Sequence, residues 1–323
     1  MTPVAAPFFD DVDGGPAGGS AHWLTTSDGV RIRAGHWRPE GADRGTVLLF
    51  PGRTEYIEKY GQAAGEFAAA GLATMAIDWR GQGIADRLAD DRRLGHVDRF
   101  TDYQKDVEVA LDLARRLDLP RPWHLLGHSM GGAIGLRAAM DGAPFRSCAF
   151  TGPMWGIYMS PLVRPLGRAL ASLAPRFGQG LRLPPGTLPD SYVQARPFHD
   201  NTLTTDRDMF AMMQRQLDAH PDLALGGPSL IWLREALAEI RDLHRRPAPN
   251  LPSLTFLGEN ERIIDCDRVR ARVASWPGAE LVIVPGSQHE VMMEAPAIRA
   301  GVFARLTAHF LNSEHPVDTA RSA

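Results

Sequence analysis

The pentapeptide GHSMG at residues 127–131 has the residue types and the spacing of a nucleophilic serine held on a sharp turn. It follows an apolar run at 122–127 and precedes a helical pattern at 130–140. In such a turn the serine backbone is strained, and a glycine two residues away on each side prevents the chain from clashing with itself. The hydroxyl of Ser129 would then be exposed at a helix N-terminus, where the helix dipole stabilises developing negative charge. These features predict Ser129 as the nucleophile of an acyl-transfer reaction.

A nucleophilic serine needs a base to accept its proton, and His289 is the best candidate among the 11 histidines. It lies in a loop between a strand-like run at 280–286 and the last helical pattern of the chain. In folds with this strand–serine–helix turn, the acid and then the histidine follow the serine along the chain. His289 satisfies that order, whereas His128, within the turn, is expected to point away from Ser129.

Three carboxylates lie in the sequence LGENERIID, residues 257–265, ahead of His289. One of them is expected to accept a hydrogen bond from the histidine and so fix its tautomer. Glu259 directly follows a strand glycine, which predicts a surface position. Asp265 immediately precedes a helical pattern, where a role as N-cap accounts for it without catalysis. The residue types alone leave Glu261 and Asp265 as alternative acids.

Two backbone N–H groups are expected to stabilise the negative oxygen of the acyl-transfer intermediate, the oxyanion. One belongs to Met130, directly after the serine, and the other to Arg53, in the loop that follows the apolar run at 46–50. For the guanidinium of Arg53 we favour a surface ion pair with Glu55 or Glu58 over contact with an anionic substrate.

The elements that must position these residues alternate, from about residue 22, between short β-type runs and longer helical patterns. Such alternation is typical of an α/β fold with a mostly parallel sheet, here predicted to have eight strands, flanked by helices. It stops over residues 153–247, which contain helical patterns and loops rich in Pro and Gly. We therefore expect a helical cap, or lid, inserted there after the sixth strand. The sheet domain would comprise 22–152 and 248–312, with a flexible N-terminal arm at 1–21 and a frayed tail at 313–323.

The bulk composition excludes several classes of protein. A net charge of −3 gives no general attraction to nucleic acid. The two cysteines do not make a disulfide framework, and no metal-binding pattern such as HExxH or CxxC occurs. No stretch approaches 18 consecutive apolar residues, and no secretion signal opens the chain. These properties predict a cytoplasmic protein without a metal site.

Seven segments distributed along the chain carry a resemblance to a known family: PGRTEYIEKY, IDWRGQGIADR, DRRLGHVDRFTDYQKDV, GHSMGG, GGPSLIWLREAL, GENERIID and GSQHEVMMEAPAIR. Together they resemble the bacterial lysophospholipases of the PldB type, which are related to the monoglyceride lipases of the α/β-hydrolase superfamily. The resemblance extends from about residue 22 to 311 and includes the cap. LGHVDRF and GGPSLIW are more specific to this group than the serine turn, which many unrelated activities share.

This resemblance implies an α/β-hydrolase fold, no cofactor, and a serine hydrolase that cleaves the acyl ester of a lysophospholipid or a monoacylglycerol-like lipid. In the resembled families, the position three residues after the strand glycine Gly258 carries the catalytic acid, which favours Glu261 over Asp265. A general carboxylesterase or an aminopeptidase of the same superfamily is the alternative. An aminopeptidase needs a pair of carboxylates in the cap to hold the free amine, and the acids of 153–247 show no such pattern.

An apolar trough for an acyl chain is expected in the cap, with Trp155, Tyr158, Leu162 and Leu166 as candidate lining residues. The two leucines belong to an apolar stripe at helical spacing that has arginines beside it. We expect this stripe to pack on the sheet domain. The alternative is that it rests with its arginines on an anionic membrane surface, which would make the protein peripheral on the inner membrane face. The expected partner is in both cases a small lipid or ester substrate.

Overall fold

A sheet of nine strands forms the centre of the computed structural model, which describes residues 3–160 and 162–313. The strands are β1 (Val4–Ala6), β2 (Ser20–Thr25), β3 (Arg31–Trp37), β4 (Thr46–Phe50), β5 (Ala73–Asp78), β6 (Trp123–His128), β7 (Ser147–Thr151), β8 (Ser253–Gly258) and β9 (Ala279–Val284). Their spatial order is β1-β2-β3-β5-β4-β6-β7-β8-β9. The pairs from β1 to β3 and the β3–β5 pair are antiparallel, and the remaining pairs are parallel.

Nine α-helices lie within the described ranges. They are α1 (Gly61–Ala69), α2 (Tyr103–Arg116), α3 (Met130–Met140), α4 (Val163–Leu173), α5 (Tyr192–Ala195), α6 (Arg207–Ala219), α7 (Leu230–Arg245), α8 (Cys266–Ala274) and α9 (Pro296–Asn312). Short 3-10 helices occur at Ile57–Tyr60, Phe100–Asp102, Ala174–Phe177, Pro221–Leu223 and Val291–Met293. In the part of the chain that the structure describes, none of these helices has the length and apolar character needed to cross a bilayer.

Helices cover both faces of the sheet, because its central strands are apolar on both sides. Within β4, Leu48 packs into the core shared with α2 and α3, whereas Val47 and Leu49 pack into the core shared with α1 and α9. Every residue of β4 is buried, as expected for a parallel strand with helices on both faces. The carboxyl ends of the parallel strands lie at one edge of the sheet, and the loops that follow them meet there.

The N-terminal segment is part of the sheet, which corrects two of the predictions. The predicted flexible arm contains β1, which pairs with β2 and raises the number of strands from eight to nine. The indole N–H of Trp37 also donates to Oδ2 of the buried Asp13 at 2.9 Å. Gly14 and Gly18 have positive φ and form turns in this segment. The high glycine content, which serves these turns, had suggested disorder. Apart from Ser313, the predicted tail lies outside the described residues.

The helical segment between β7 and β8 contains α4 to α7 and corresponds to the predicted cap. It follows the seventh strand because β1 adds one to the count. In this segment α4 packs against α7, and α7 packs against α3 of the sheet domain. The cap therefore extends over the carboxyl edge of the sheet, where the predicted site residues lie. Its boundaries as a separate domain stay a prediction.

Candidate active site

Ser129 lies at the turn between β6 and α3, with a backbone φ of 50° and ψ of −116°. This φ lies in the left-handed region, which costs free energy for a residue other than glycine. Close contacts fix the turn. A Cβ at Gly127 would come within 2.8 Å of Cα of Gly132, and a Cβ at Gly131 within 1.9 Å of the carbonyl oxygen of Phe50. Both glycines are therefore required sterically. Gly127 is required because the turn folds back on Gly132, and Gly131 because the turn packs on the end of β4.

His289 and Glu261 form a buried hydrogen-bonded pair on neighbouring loops. Nδ1 of His289 lies 2.6 Å from Oε2 of Glu261. Oε1 of Glu261 accepts the N–H groups of Ile263 at 2.7 Å and Ile264 at 3.3 Å. Burial raises the pKa of Glu261, but His289 and these N–H groups outweigh burial, so the pKa lies below its ordinary value. Because the ionised acid engages Nδ1, Nε2 is the histidine nitrogen that can take a proton from a hydroxyl.

The other two carboxylates of residues 257–265 have structural contacts. Asp265 is the N-cap of α8, as predicted, and its Oδ1 accepts the N–H of Arg268 at 3.3 Å. Glu259 is exposed, as predicted, and accepts the N–H of Gly286 at 2.8 Å. Of the three acids, Glu261 is therefore the one that the structure brings to His289.

The loop after β4, residues 51–55, is held in place by side chains from the segment that follows β5. The indole N–H of Trp79 donates to the carbonyl oxygen of Pro51 at 2.9 Å. The side chain of Gln82 donates to the carbonyl oxygen of Gly52 at 2.9 Å and accepts the N–H of Thr54 at 3.2 Å. These hydrogen bonds fix the conformation of the loop that carries the predicted oxyanion donor.

A cavity of about 660 Å³ joins the predicted site residues. Ser129, Met130, His289 and Arg53 all line it, and its volume lies within the range of sites for small molecules. Most of the other lining side chains are apolar. They include Met154, Ile157, Tyr158, Met159, Leu166, Leu170, Met213, Leu217, Leu230 and Ile263.

The four predicted acyl-pocket residues divide into two pairs. Tyr158 and Leu166 line the cavity. Trp155 is instead buried in the core, where its indole N–H donates to the carbonyl oxygen of Gly132 at 3.1 Å and its ring packs edge-on against Phe150. Trp155 is stable in the core because it finds there both an aromatic neighbour and an acceptor for its N–H group. Leu162 is 90% exposed and lies outside the cavity lining.

A buried cluster of charged side chains, which the sequence analysis missed, lies at the same cavity. Nζ of Lys59 donates to Glu55 Oε1 at 2.5 Å and to Glu290 Oε1 at 2.6 Å. Glu55 also accepts the N–H of Gly52 in the loop after β4, and Glu290 directly follows His289. The cluster therefore ties the loop of the predicted oxyanion donor to the loop of the histidine. The i, i+4 spacing of Glu55 and Lys59 is a signal in the sequence, but nothing in the sequence pairs either of them with Glu290.

His128 completes this cluster rather than serving Ser129. Its Nε2 lies 3.2 Å from Oε2 of Glu290, close enough for an ion pair but without the alignment of a hydrogen bond. Its Nδ1 lies 2.8 Å from Oγ1 of Thr151. Burial lowers the pKa of His128, but the carboxylates of Glu290 and Glu55 outweigh burial and raise it above the ordinary value. With Nδ1 beside Thr151 and Nε2 facing Glu290, His128 is unsuited to act as the base, in agreement with the prediction.

The ligand atoms of Glu55, His128 and Glu290 lie close enough together to hold a metal ion. The ammonium group of Lys59 already lies between the two carboxylates and supplies positive charge there. Burial lowers the pKa of Lys59, but Glu290 and Glu55 outweigh it, so the pKa is raised and the group stays charged. Lys59 thus does the electrostatic work that a metal ion would do in this cluster.

Replacing Lys59 by methionine is expected to destabilise the protein by about 3–5 kcal/mol, because it removes the ammonium group that lies between two buried carboxylates. Urea unfolding of the wild type and the variant measures the change in the free energy of unfolding. Lys105→Met is the matched control, since this lysine also pairs with two acids but is partly exposed, where such pairs contribute about 1 kcal/mol or less. Equal losses in the two variants would contradict this account of the cluster.

The guanidinium of Arg53 has surroundings different from those predicted. The expected partners are engaged elsewhere, Glu55 by Lys59 and Glu58 by Arg33. Nη1 of Arg53 instead donates to the carbonyl oxygen of Gly226 at 2.7 Å. Its Cζ lies 5.8 Å from the centre of the Trp232 ring. The prediction of a surface ion pair is therefore wrong, because the cap covers this side chain and neutral groups contact it.

The parallel sheet, the strained serine turn and the inserted helical segment define an α/β-hydrolase. The solved structures with similar folds agree. A soluble variant of monoglyceride lipase from Saccharomyces cerevisiae, in complex with a substrate analogue, matches with a TM-score of 0.70 at 21% identity, covering 90% of this chain and 94% of that one. The monoacylglycerol lipase of Paleococcus ferrophilus matches with a TM-score of 0.67 at 17% identity, covering 88% of this chain and 99% of that one.

Within that class, the chain belongs to the Hydrolase_4 family, described as serine aminopeptidase, S33, whose model matches residues 41–296. Lysophospholipase L2 of Escherichia coli (strain K12) is 30% identical over 308 residues, which cover 91% of this chain and 88% of that protein. The monoacylglycerol lipase of Mycolicibacterium smegmatis is 27% identical over 283 residues, which cover 85% of this chain and 91% of that protein. The predicted family and fold class are thereby confirmed.

Proposed function

We propose that this protein is a serine hydrolase that cleaves the acyl ester of lysophospholipids or monoacylglycerol-like lipids through an acyl-enzyme intermediate. The observation that carries the proposal is the apolar cavity of about 660 Å³ at which Ser129 and the hydrogen-bonded pair His289–Glu261 meet. A cavity lined mainly by aliphatic and methionine side chains suits an acyl chain, since burial of apolar surface drives its binding. The names of the relatives support the same class of substrate.

In the proposed mechanism, Nε2 of His289 takes the proton of Ser129, whose Oγ attacks the ester carbonyl carbon. The N–H groups of Arg53 and Met130 donate to the oxyanion, where loss of one such donor costs about 3–4 kcal/mol of transition-state stabilisation in other enzymes. Glu261 stabilises the imidazolium that forms. The histidine then protonates the leaving alcohol, and a water molecule repeats the sequence to release the fatty acid and regenerate Ser129.

The aminopeptidase alternative receives less support from the acids of the cap. Asp190 pairs with Arg93, Asp206 is the N-cap of α6, and Glu235 pairs with Arg234. None of these three acids lines the cavity. The carboxylates of Glu55 and Glu290 do line it, but Lys59 and His128 already pair with them, so they offer little attraction to the free amine of a peptide.

A substrate panel tests the proposal. We expect fatty acid release from lysophosphatidylcholine, lysophosphatidylethanolamine and monoacylglycerols. We expect weaker turnover of short p-nitrophenyl esters, which fill less of the cavity, and no turnover of aminoacyl-naphthylamides. Turnover of the naphthylamides without release of fatty acid from any lipid would replace this proposal by the aminopeptidase alternative.

We also propose that the protein makes peripheral contact with an anionic membrane surface. For a cytoplasmic protein this surface would be the inner membrane face. Leu162 and Leu166 of the stripe are 90% and 69% exposed, so this part of the stripe does not pack on the sheet domain as we had expected. Phe177, in the 3-10 helix after α4, is 75% exposed. Arg168 is exposed near them, and Arg164 lies 3.6 Å from Asp265. Apolar and basic side chains together favour the interface of an anionic bilayer. The exposed Leu166 also lines the cavity, so this surface adjoins the route of a lipid into the site.

The double variant Leu162→Ser/Phe177→Ser is expected to bind vesicles of phosphatidylcholine and phosphatidylglycerol at least about ten-fold more weakly, since burial of each side chain contributes roughly 1.5 kcal/mol or more. Sedimentation with the vesicles measures this. Hydrolysis of a short soluble ester should not change, because neither side chain lines the cavity. Val4→Ser is the control, being 65% exposed on β1, outside the cap. Unchanged sedimentation of the double variant would exclude the surface at the two ends of this helical segment, Leu162 and Phe177, as the membrane-binding surface.

A further inference from the structure

Arg53 lines the cavity, and no acid in the described ranges of the chain neutralises the charge of its guanidinium. Of its five N–H donors, the bond to Gly226 uses one. Burial lowers the pKa of Arg53 to about 10, an effect that Tyr103 only partly offsets. An unpaired charge in such a site is unfavourable. The free donors therefore favour a ligand that brings negative charge.

Two of the segments that carry the family resemblance build the surroundings of this guanidinium. They are LGHVDRF and GGPSLIW, which no step of the proposed mechanism uses. The N–H of Gly95 donates to the carbonyl oxygen of Gly227 at 2.9 Å, and the N–H of Ser229 donates to that of Gly95 at 2.8 Å. Nδ1 of His96 lies 2.9 Å from Oγ of Ser229. The two segments thus hold each other in register beside Arg53.

Glycines in these segments leave room for the arginine and its acceptor. A Cβ at Gly95 would lie 3.2 Å from Nη1 of Arg53, a contact that would crowd the guanidinium. A Cβ at Gly226 would come within 2.0 Å of the carbonyl oxygen of Pro189, so only glycine can present its own carbonyl to Nη1 in this position. With Trp232 beneath the guanidinium, these contacts orient the side chain without neutralising it.

We propose that the side chain of Arg53 binds the phosphate group of a lysophospholipid, and that it makes the enzyme prefer lysophospholipids to monoacylglycerols. In a lysophospholipid the glycerol backbone separates the acyl ester from the phosphate, a span similar to the length of an arginine side chain. The backbone N–H of Arg53 is the proposed donor to the ester oxyanion, so its side chain reaches the region where the phosphate lies. Arginine binds phosphate through parallel N–H bonds. A monoacylglycerol offers only a neutral hydroxyl there.

This inference rests on the proposed function as a lipid hydrolase. It is tested by the ratio of kcat/KM for a lysophospholipid to kcat/KM for a monoacylglycerol. We expect Arg53→Gln to lower kcat/KM for lysophosphatidylcholine about ten- to hundred-fold more than kcat/KM for the monoacylglycerol with the same acyl chain, the order of a charge-assisted hydrogen bond. A disturbed oxyanion loop lowers both values alike and cancels in the ratio. The excess loss should appear mainly in KM, and Arg53→Lys, which keeps the charge, should restore part of the preference.

A second measurement does not depend on lipid turnover. Glycerophosphocholine should inhibit hydrolysis of a short p-nitrophenyl ester by the wild type, with an inhibition constant about ten-fold lower than for Arg53→Gln. An unchanged substrate ratio in Arg53→Gln, with lipid hydrolysis intact in the wild type, would overturn the role of Arg53 and leave the proposed function standing. Absence of lipid hydrolysis in the wild type would refute the proposed function. In that case, equal inhibition of the wild type and Arg53→Gln by glycerophosphocholine would also overturn the proposed contact between Arg53 and phosphate.

Discussion

Ser129→Ala is expected to lower kcat for ester hydrolysis by about a million-fold, the loss seen when the nucleophile of another serine hydrolase is removed. The alanine has no oxygen to attack the carbonyl, so no acyl-enzyme can form. Substrate binding should be largely retained, because the cavity lining is otherwise unchanged. Comparison of kcat and KM for wild type and variant on a monoacylglycerol measures both effects.

Ser275→Ala provides the control for this prediction. Its hydroxyl donates to the carbonyl oxygen of Arg272 at 2.8 Å at the end of α8, and it does not line the cavity. We expect its turnover to match that of the wild type. A Ser129→Ala enzyme that keeps more than about one hundredth of the wild-type kcat would contradict a covalent role for Ser129, since residual catalysis without the nucleophile is far smaller.

Glu261→Gln is expected to lower kcat by about ten-thousand-fold, as the corresponding acid-to-amide change does in another serine hydrolase. A glutamine is neutral and does not stabilise the imidazolium, and its NH₂ group favours the wrong histidine tautomer. Asp265→Asn should keep near-normal turnover, because its carboxylate contacts the first turn of α8 and an asparagine also serves as an N-cap. Collapse of activity in Asp265→Asn, with near-normal activity in Glu261→Gln, would reverse this assignment.

The turn that holds the proposed nucleophile and the α/β class were the most predictable features of the fold. The serine turn requires glycines at fixed spacing because backbone atoms of Phe50 and Gly132 approach it, so its sequence is tightly constrained. Alternation of apolar strands and helical patterns similarly indicated the α/β class, since burial on both faces of a parallel sheet leaves solid apolar runs such as TVLLF in β4. The choice of Glu261 over Asp265 came from family resemblance, because residue type and spacing did not separate them.

What the sequence did not reveal depends on contacts between distant segments. Lys59 and Glu290 are 231 residues apart, and no local pattern indicates that they meet. The environment of Arg53 is set by Gly226 and Trp232 of the cap, so the local choice of Glu55 or Glu58 as its partner was wrong. Strand β1 was missed because three residues between two prolines, Pro3 and Pro7, have too little pattern to distinguish a strand from a loop.

The most direct test of the account is to locate the residue that becomes covalently modified. Wild-type protein is treated with an alkyl fluorophosphonate, which reacts with activated serines, and its peptides are then analysed by mass spectrometry. The account predicts one modified residue, Ser129, with labelling strongly reduced in His289→Ala and absent in Ser129→Ala. Labelling of another residue, or equal labelling of the wild type and Ser129→Ala, would contradict the proposal that Ser129 is the nucleophile.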